Sequence, residues 1–299
     1  MRHFICTIIL LLAGSLPAQA GLEVFACEPE WAALVGELAG EHAEVFSAVS
    51  AFQDVHHIQA RPSLIARVRR ADLVICTGAD LESGWLPVLL KRAGNSSVLP
   101  GTAGYFLASD HVRLLAVPRQ LDRAQGDVHP DGNPHIHLDP HNYIPIASAL
   151  SERLVDLDGQ RRDIYTARLA DFIQRWETAM ADWQKRALPL KNTPVAVYHD
   201  AWLYLNNWLG LEQLATLETK PGIPPTSRHL SALLEQMKHS PARAIIRAPY
   251  QDKRAVTWLH EHTGIPVVQL PYTVGGTPQA DTLFGLFDTT IELLLGVTN

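Results

Sequence analysis

The chain has 299 residues, with 25 Lys+Arg against 31 Asp+Glu and a formal net charge of −6. With no basic run and no interleaving of basic and aromatic residues, it lacks the footprint of a nucleic-acid-binding protein, and nucleic acid is excluded as a partner. Its length accommodates two domains of about 100–200 residues each.

Residues Met1–Ala20 read as a cleaved secretory signal: Arg2-His3, an apolar core from Phe4 to Leu12, and a small-x-small site at Ala18-Gln19-Ala20. The core is too short for a membrane span, which needs about 20 apolar residues. A periplasmic location follows as an expectation. Val24-Phe25-Ala26-Cys27 loosely matches the box before a lipid-modified cysteine. It comes too late after the apolar core, and Leu22–Ala26 reads better as a first strand. Loss of the signal removes Cys6 and leaves Cys27 and Cys76. Export permits them to pair, but their Cα separation decides that, so a disulfide and two buried thiols both stay open.

Downstream, strands are expected at Leu22–Ala26, Glu44–Val49 and Asp72–Cys76, with a weaker one at Val112–Val117. Helices are expected between them at Trp31–Ala39, Ser63–Arg70 and Trp85–Arg92. The second half repeats the alternation: strands at Val195–Tyr198, Leu211–Leu217, Ala244–Arg247 and Val267–Leu270, helices at Ser227–Lys238, Lys253–His262 and Asp281–Leu295. Such alternation specifies parallel sheets with crossover helices. In between, Tyr165, Leu169, Phe172, Trp176, Met180, Trp183 and Ala187 recur at steps of three and four, and Pro189 closes the run. The expected fold is α/β, two doubly wound parallel-sheet lobes joined by one long helix. The expected divisions are a signal at 1–20, a first lobe at 21–156, a linking helix at 157–189 and a second lobe at 190–299.

Three histidine-bearing motifs lie far apart on this scaffold: Asp54-Val55-His56-His57 before Pro62-Ser63, Asn133-Pro134-His135-Ile136-His137-Leu138-Asp139-Pro140-His141, and Val197-Tyr198-His199-Asp200-Ala201-Trp202. Neutral imidazole is the commonest protein metal ligand, and imidazoles with a carboxylate suit Zn²⁺ where thiolates are absent. Ligands from such distant segments make a site closed by the fold, at the carboxyl ends of parallel strands. His56 and His57 point apart, and the residues alone leave open which one faces the site. The His-x-His-x-Asp-His pattern of metallo-β-lactamase-type hydrolases fails here, because Pro140 occupies the last histidine position. Asp281, entering the last helix after Gly275-Gly276, reads by itself as a helix cap or first-turn charge, with a ligand role as the alternative.

Together these segments resemble the periplasmic solute-binding proteins of zinc and manganese ABC transporters, the cluster with a rigid linking helix. Asp54-Val55-His56…Pro62 is similar to that family's Asp-Pro-His…Pro motif, with Val55 in place of proline. Ala71–Gly78 followed by Leu81-Glu82…Trp85 resembles its strand-loop signature. Asn133–Pro140 resembles its Asp-Pro-His-x-Trp-x-Asp-Pro segment, with His137 at the tryptophan position, and His199-Asp200-Ala201-Trp202…Tyr204 resembles its His-x-Ala-Phe-x-Tyr segment. Arg247, at the end of a strand, departs from the glutamate usual there.

The resemblance implies His56, His135, His199 and Asp281 as metal ligands, selecting His56 over His57. It implies a non-enzymatic role: a monomer that captures Zn²⁺ and delivers it to a cognate ABC permease, with a periplasmic zinc metallochaperone as a second partner. Manganese-selective members carry a carboxylate at the position of His199, so Zn²⁺ is expected over Mn²⁺. Gly126–Gly132 occupies the place of the family's histidine-rich loop, so His129, with His137 as a further candidate, is a loading-site candidate beside the reading of an ordinary solvated loop. The rival readings are a zinc hydrolase with an open coordination position for water and an extracellular zinc buffer or adhesin of the same fold.

Overall fold

The computed structural model describes residues 21–118 and 126–298; the expected signal, Met1–Ala20, lies outside the described residues. The apolar run Leu22–Ala26 (β1) pairs in parallel with Ala43–Ser47 (β2) on one side and Leu73–Cys76 (β3) on the other. Tyr105–Leu107 (β4) adds to β3, giving the order β2-β1-β3-β4. A second parallel sheet repeats that order as β6-β5-β7-β8, from Pro194–Val197 (β5), Glu212–Thr216 (β6), Ala244–Arg247 (β7) and Val267–Gln269 (β8). Every residue of β3 is buried, as strands covered on both faces must be.

Around the first sheet lie Pro29–Ala39 (α1), Pro62–Arg70 (α2), Leu86–Ala93 (α3) and Tyr143–Leu157 (α4). Arg162–Arg186 (α5) follows, and around the second sheet lie Leu203–Leu209 (α6), Ser227–His239 (α7), Arg254–Thr263 (α8) and Leu283–Thr298 (α9). Among the described residues, no helix is long and apolar enough to cross a membrane.

The long helix is real but shorter than expected. It begins at Arg162 because Asp158 leaves helical geometry at φ −142°, ending α4, and a 3₁₀ turn over Gly159–Arg161 intervenes. Its 25 residues span about 37 Å. The predicted aromatic stripe is its anchor. Tyr165, Phe172, Trp176 and Trp183 are buried, with Trp176 packed edge-on against Phe284 and Phe287 of α9. Trp176 Nε1–H donates to the Pro140 carbonyl and Trp183 Nε1–H to the Asp288 carboxylate, 2.8 and 2.9 Å, so α5 is fastened to both lobes. One continuous apolar core runs through both sheets and this helix.

Three expectations differ. The edge strand is Tyr105–Leu107, not Val112–Val117; a three-residue strand carries too little pattern to read, and the Leu115 N–H instead donates to the Tyr204 hydroxyl oxygen. The helices α4 and α6 lie outside the expected set. Pro145 is accommodated in α4 because it stands in the first turn, where backbone N–H groups lack helical partners anyway.

Cys27, just after β1, and Cys76, at the end of β3, are joined by a disulfide, with Cα atoms 4.8 Å apart and a sequence separation of 49. That pairing also engages the thiol on which the lipid-anchor alternative depended. Closing a loop of this length stabilises by about 4 kcal/mol on the chain-entropy model. Paired Cys27→Ser and Cys76→Ser replacement is therefore expected to lower unfolding free energy by about 2–4 kcal/mol in urea melts. Equal midpoints and slopes for the two proteins would refute this.

Candidate metal centre

Parallel sheets send all their following loops from one edge, and here the chemistry-bearing loops all leave carboxyl ends of strands. His56 follows β2, His199 lies two residues after β5, Glu218 two residues after β6, and Tyr250 and Tyr272 three residues after β7 and β8. His135 comes from the segment between β4 and α4. The fold brings His56, His135 and His199 together, with one potential ligand atom from each within 4.8 Å of the others.

Each of the three rings is held through Nδ1. His56 bonds Asp54 Oδ1 at 2.8 Å, His199 bonds Glu218 Oε2 at 2.7 Å, and His135 bonds the Tyr272 hydroxyl at 2.8 Å. Ionised carboxylates only accept, so Nδ1 carries the hydrogen in His56 and His199, and Nε2 is left with its lone pair. This arrangement fixes tautomer and ring orientation as metal-ligating histidines require. His57 points elsewhere, half exposed, with Nε2 3.7 Å from Asp127.

His129 stands beside the three. Its Nε2 is 3.3 Å from His56 Nε2. Since His56 Nε2 is the acceptor, His129 must donate, and its own Nδ1 is buried without a hydrogen-bond partner. Two nitrogens bound to one tetrahedral metal at about 2.0–2.1 Å would sit about 3.3–3.4 Å apart, so this separation matches one edge of a zinc tetrahedron. An open cavity of about 620 Å³, lined by His56, His57, Asp80, Asp127 and His129, leads inward.

The electrostatics divide the histidines. Burial drives the His135 imidazole well below the usual range, reinforced by His56, His199, His137 and His129 around it. Burial and His56 likewise push His129 down to about 4. Burial also pulls on His199, but the Glu218 hydrogen bond and charge outweigh it, with help from Asp54 and Asp200, and its pKa is raised. Asp54 is held below the usual carboxylate range: burial works against ionisation, and its bonds and charge pairing with His56 prevail.

Two sequence expectations need correction. Asp281 is exposed and is not brought to the histidine cluster. Its loop is closed by a Gly275 N–H to Ala280 carbonyl bond, and the side chain that reaches the site from this stretch is Tyr272. His137 is not on a loading loop. It is buried, with Nε2 3.1 Å from the Tyr272 carbonyl and Nδ1 3.4 Å from Glu30. Glu218, Tyr250 and Tyr272 escaped the sequence reading. A carboxylate just past a strand, as in Leu217-Glu218, was the available signal, matching Asp54 in the first lobe.

A family model described as ZnuA, zinc-uptake complex component A periplasmic, matches residues 24–295. Among curated relatives, the manganese ABC transporter substrate-binding lipoprotein PsaA of Streptococcus pneumoniae is 22% identical over 280 residues, covering 89% of this chain and 87% of the relative. The high-affinity zinc uptake system protein ZnuA of Yersinia pestis is 27% identical over 210 residues, 65% of each chain. A crystal structure of ZnuA superposes with a TM-score of 0.76 at 20% identity, covering 93% of this chain and 99% of that one. A cadmium-bound periplasmic metal-binding protein from Candidatus Liberibacter asiaticus gives 0.73 at 15% identity, covering 92% and 99%. From a family match spanning nearly all the described residues, the chain belongs to the ZnuA family, whose members are substrate-binding proteins of metal ABC transporters and not enzymes.

Proposed function

We propose that this protein captures Zn²⁺ outside the cytoplasmic membrane, in the periplasm, and delivers it as cargo to a cognate ABC permease. The ligands are His56, His135 and His199, with His129 in the fourth place assigned to Asp281 by the sequence. The observation that carries this reading is the donor set itself: imidazole nitrogens facing one point, with the nearby carboxylates Asp54 and Glu218 spent on the far side of the rings. Borderline-soft imidazoles in a tetrahedron suit Zn²⁺, whereas Mn²⁺ favours carboxylate, carbonyl and water in higher coordination.

A manganese reading has one point in its favour, the relatives named as manganese transporter components. In a competitive titration of metal-stripped protein, zinc is expected to bind one-to-one and to displace manganese. Tighter manganese binding would overturn the zinc assignment.

His129, whose Nδ1 has no hydrogen-bond partner among the described residues, is the ligand that completes the site last and leaves it first, facing the incoming metal or a metallochaperone that delivers it. His129→Ala is expected to lower zinc affinity about 10–100-fold, a range shared with the loss of an outer-shell support. Wild-type affinity in that variant would return the segment to an ordinary loop. The protein is expected to act as a monomer, since one chain supplies the whole ligand set.

A further inference from the structure

We infer that Tyr272 is the positioning residue for His135, held at the metal site by a buried strap that crosses from the second sheet to the first lobe. The inference rests on the ligand set proposed above. Tyr272 grips both histidines of the His135-Ile136-His137 pair with its two ends. Its hydroxyl bonds His135 Nδ1 at 2.8 Å, and its carbonyl accepts from His137 Nε2 at 3.1 Å. His137 in turn lies 3.4 Å from the Glu30 carboxylate of α1, which also accepts the hydroxyl of Thr273, the next residue along the strap. Tyr272, His137, Glu30 and Thr273 thus close a ring, all four buried.

The backbone of this segment is built for the task. Tyr272 has φ +58°, a left-handed conformation disfavoured for any residue with a Cβ. Residues held this way persist only where surrounding contacts over-determine them, and the ring just described supplies those contacts. The turn that follows is so tight that a Cβ at Gly276 would lie 1.8 Å from the Pro271 carbonyl oxygen. The sequence Pro271-Tyr272-Thr273-Val274-Gly275-Gly276 therefore spends its glycine on the turn and its unfavourable φ on a tyrosine.

Chemistry gives the hydrogen-bond direction. For His135 to offer Nε2 to a metal, its Nδ1–H must donate to the Tyr272 oxygen. The Tyr272 O–H is then free to turn away from His135, on the side where the Tyr250 ring packs 5.5 Å away. His135 is consequently backed by a neutral phenol, while His56 and His199 are backed by carboxylates. It is the least electron-rich of the three tethered ligands, and the one whose orientation depends on a contact made across the lobes.

The test uses the full mature chain, with zinc affinity measured by chelator competition and the visible spectrum of the Co²⁺-substituted protein as a report on ligand geometry. Tyr272→Phe keeps the ring and removes only the hydroxyl, so zinc affinity should fall about 10–100-fold and the cobalt bands should shift. Wild-type affinity with an unchanged cobalt spectrum overturns the role of Tyr272. If Tyr272→Phe does not fold, Thr273→Val, which removes the strap's bond to Glu30, carries the same test: weaker zinc binding with shifted bands supports the positioning role, and unchanged values overturn it. His199→Ala run in parallel separates the two levels. Loss there with an unaffected Tyr272→Phe defeats only the positioning inference, whereas retention there defeats the ligand set itself.

Discussion

Zinc binding by the metal-stripped protein is expected to collapse when His199 is replaced by alanine. The ring projects from the carboxyl end of the central strand β5, is buried, and is aimed by Glu218 at 2.7 Å. Structural four-ligand zinc sites are worth about 10–16 kcal/mol at neutral pH. An even share per ligand is about 2.5–4 kcal/mol, which is about 60–700-fold in dissociation constant. The variant also leaves the Glu218 carboxylate buried without the imidazole it served, a further cost to the closed site. The fold itself should survive, since His199 stands two residues beyond the end of β5 and takes no part in its strand pairing. Circular dichroism matching wild type together with a loss of at least about 100-fold in zinc affinity is the expected pair of results. Undiminished binding would place the metal elsewhere in the molecule.

Acid should release the metal in two stages, and Glu218 should govern the first. A raised pKa means that His199 in the metal-free protein still holds a proton where an ordinary histidine, at 6.5, would have lost much of it. Zinc must expel that proton, so affinity falls as pH drops through this region, with about one proton released per metal bound. His135 and His129 lie on the other side: their lowered values keep them neutral near physiological pH, so they compete with zinc only in stronger acid, His129 around 4. The logarithm of affinity against pH should therefore be shallow near neutrality and steepen below it. Glu218→Gln tests the assignment. Without the Glu218 hydrogen bond and charge, burial pulls the His199 pKa down against only the weaker help of Asp54 and Asp200. The variant should bind zinc about 10–100-fold more weakly, and its proton release near neutral pH should disappear. Chelator-competition titrations from about pH 8 to about pH 5 would show both effects, spanning the ordinary histidine range. Parallel curves for the variant and the wild type would rule out Glu218 as the cause.

These two expectations draw on different kinds of information. That the three histidine-bearing motifs would come together was readable from the chain, because parallel sheets put the loops after their strands on one edge, while choosing His56 over His57 needed the family resemblance. The alternation of apolar strands with 3.6-periodic segments likewise carried the two lobes, and the aromatic spacing from Tyr165 to Trp183 carried the helix between them. These are local properties, since periodicity reports which face of an element is buried wherever that element ends up. The boundary at Asp158-Gly159 and the three-residue strand β4 were too short to leave a periodic trace.

What the chain alone did not determine is how the loops run once they leave the sheets. Asp281 has the right chemistry for a ligand and is close in sequence to Tyr272, yet the turn at Gly275-Gly276 leaves the carboxylate exposed and brings the phenol to the metal site. His129 reaches within 3.3 Å of His56 across 73 residues, and Tyr272 reaches His135 across 137. No periodicity encodes contacts at that separation. They exist because burying both lobes against α5 sets the two strand edges face to face, and side chains from opposite loops then satisfy one another's buried nitrogens and oxygens. Composition and spacing thus determined which residues could bind a metal, and the packing of two sheets across one helix decided which of them come together, and which nitrogen each leaves facing the others.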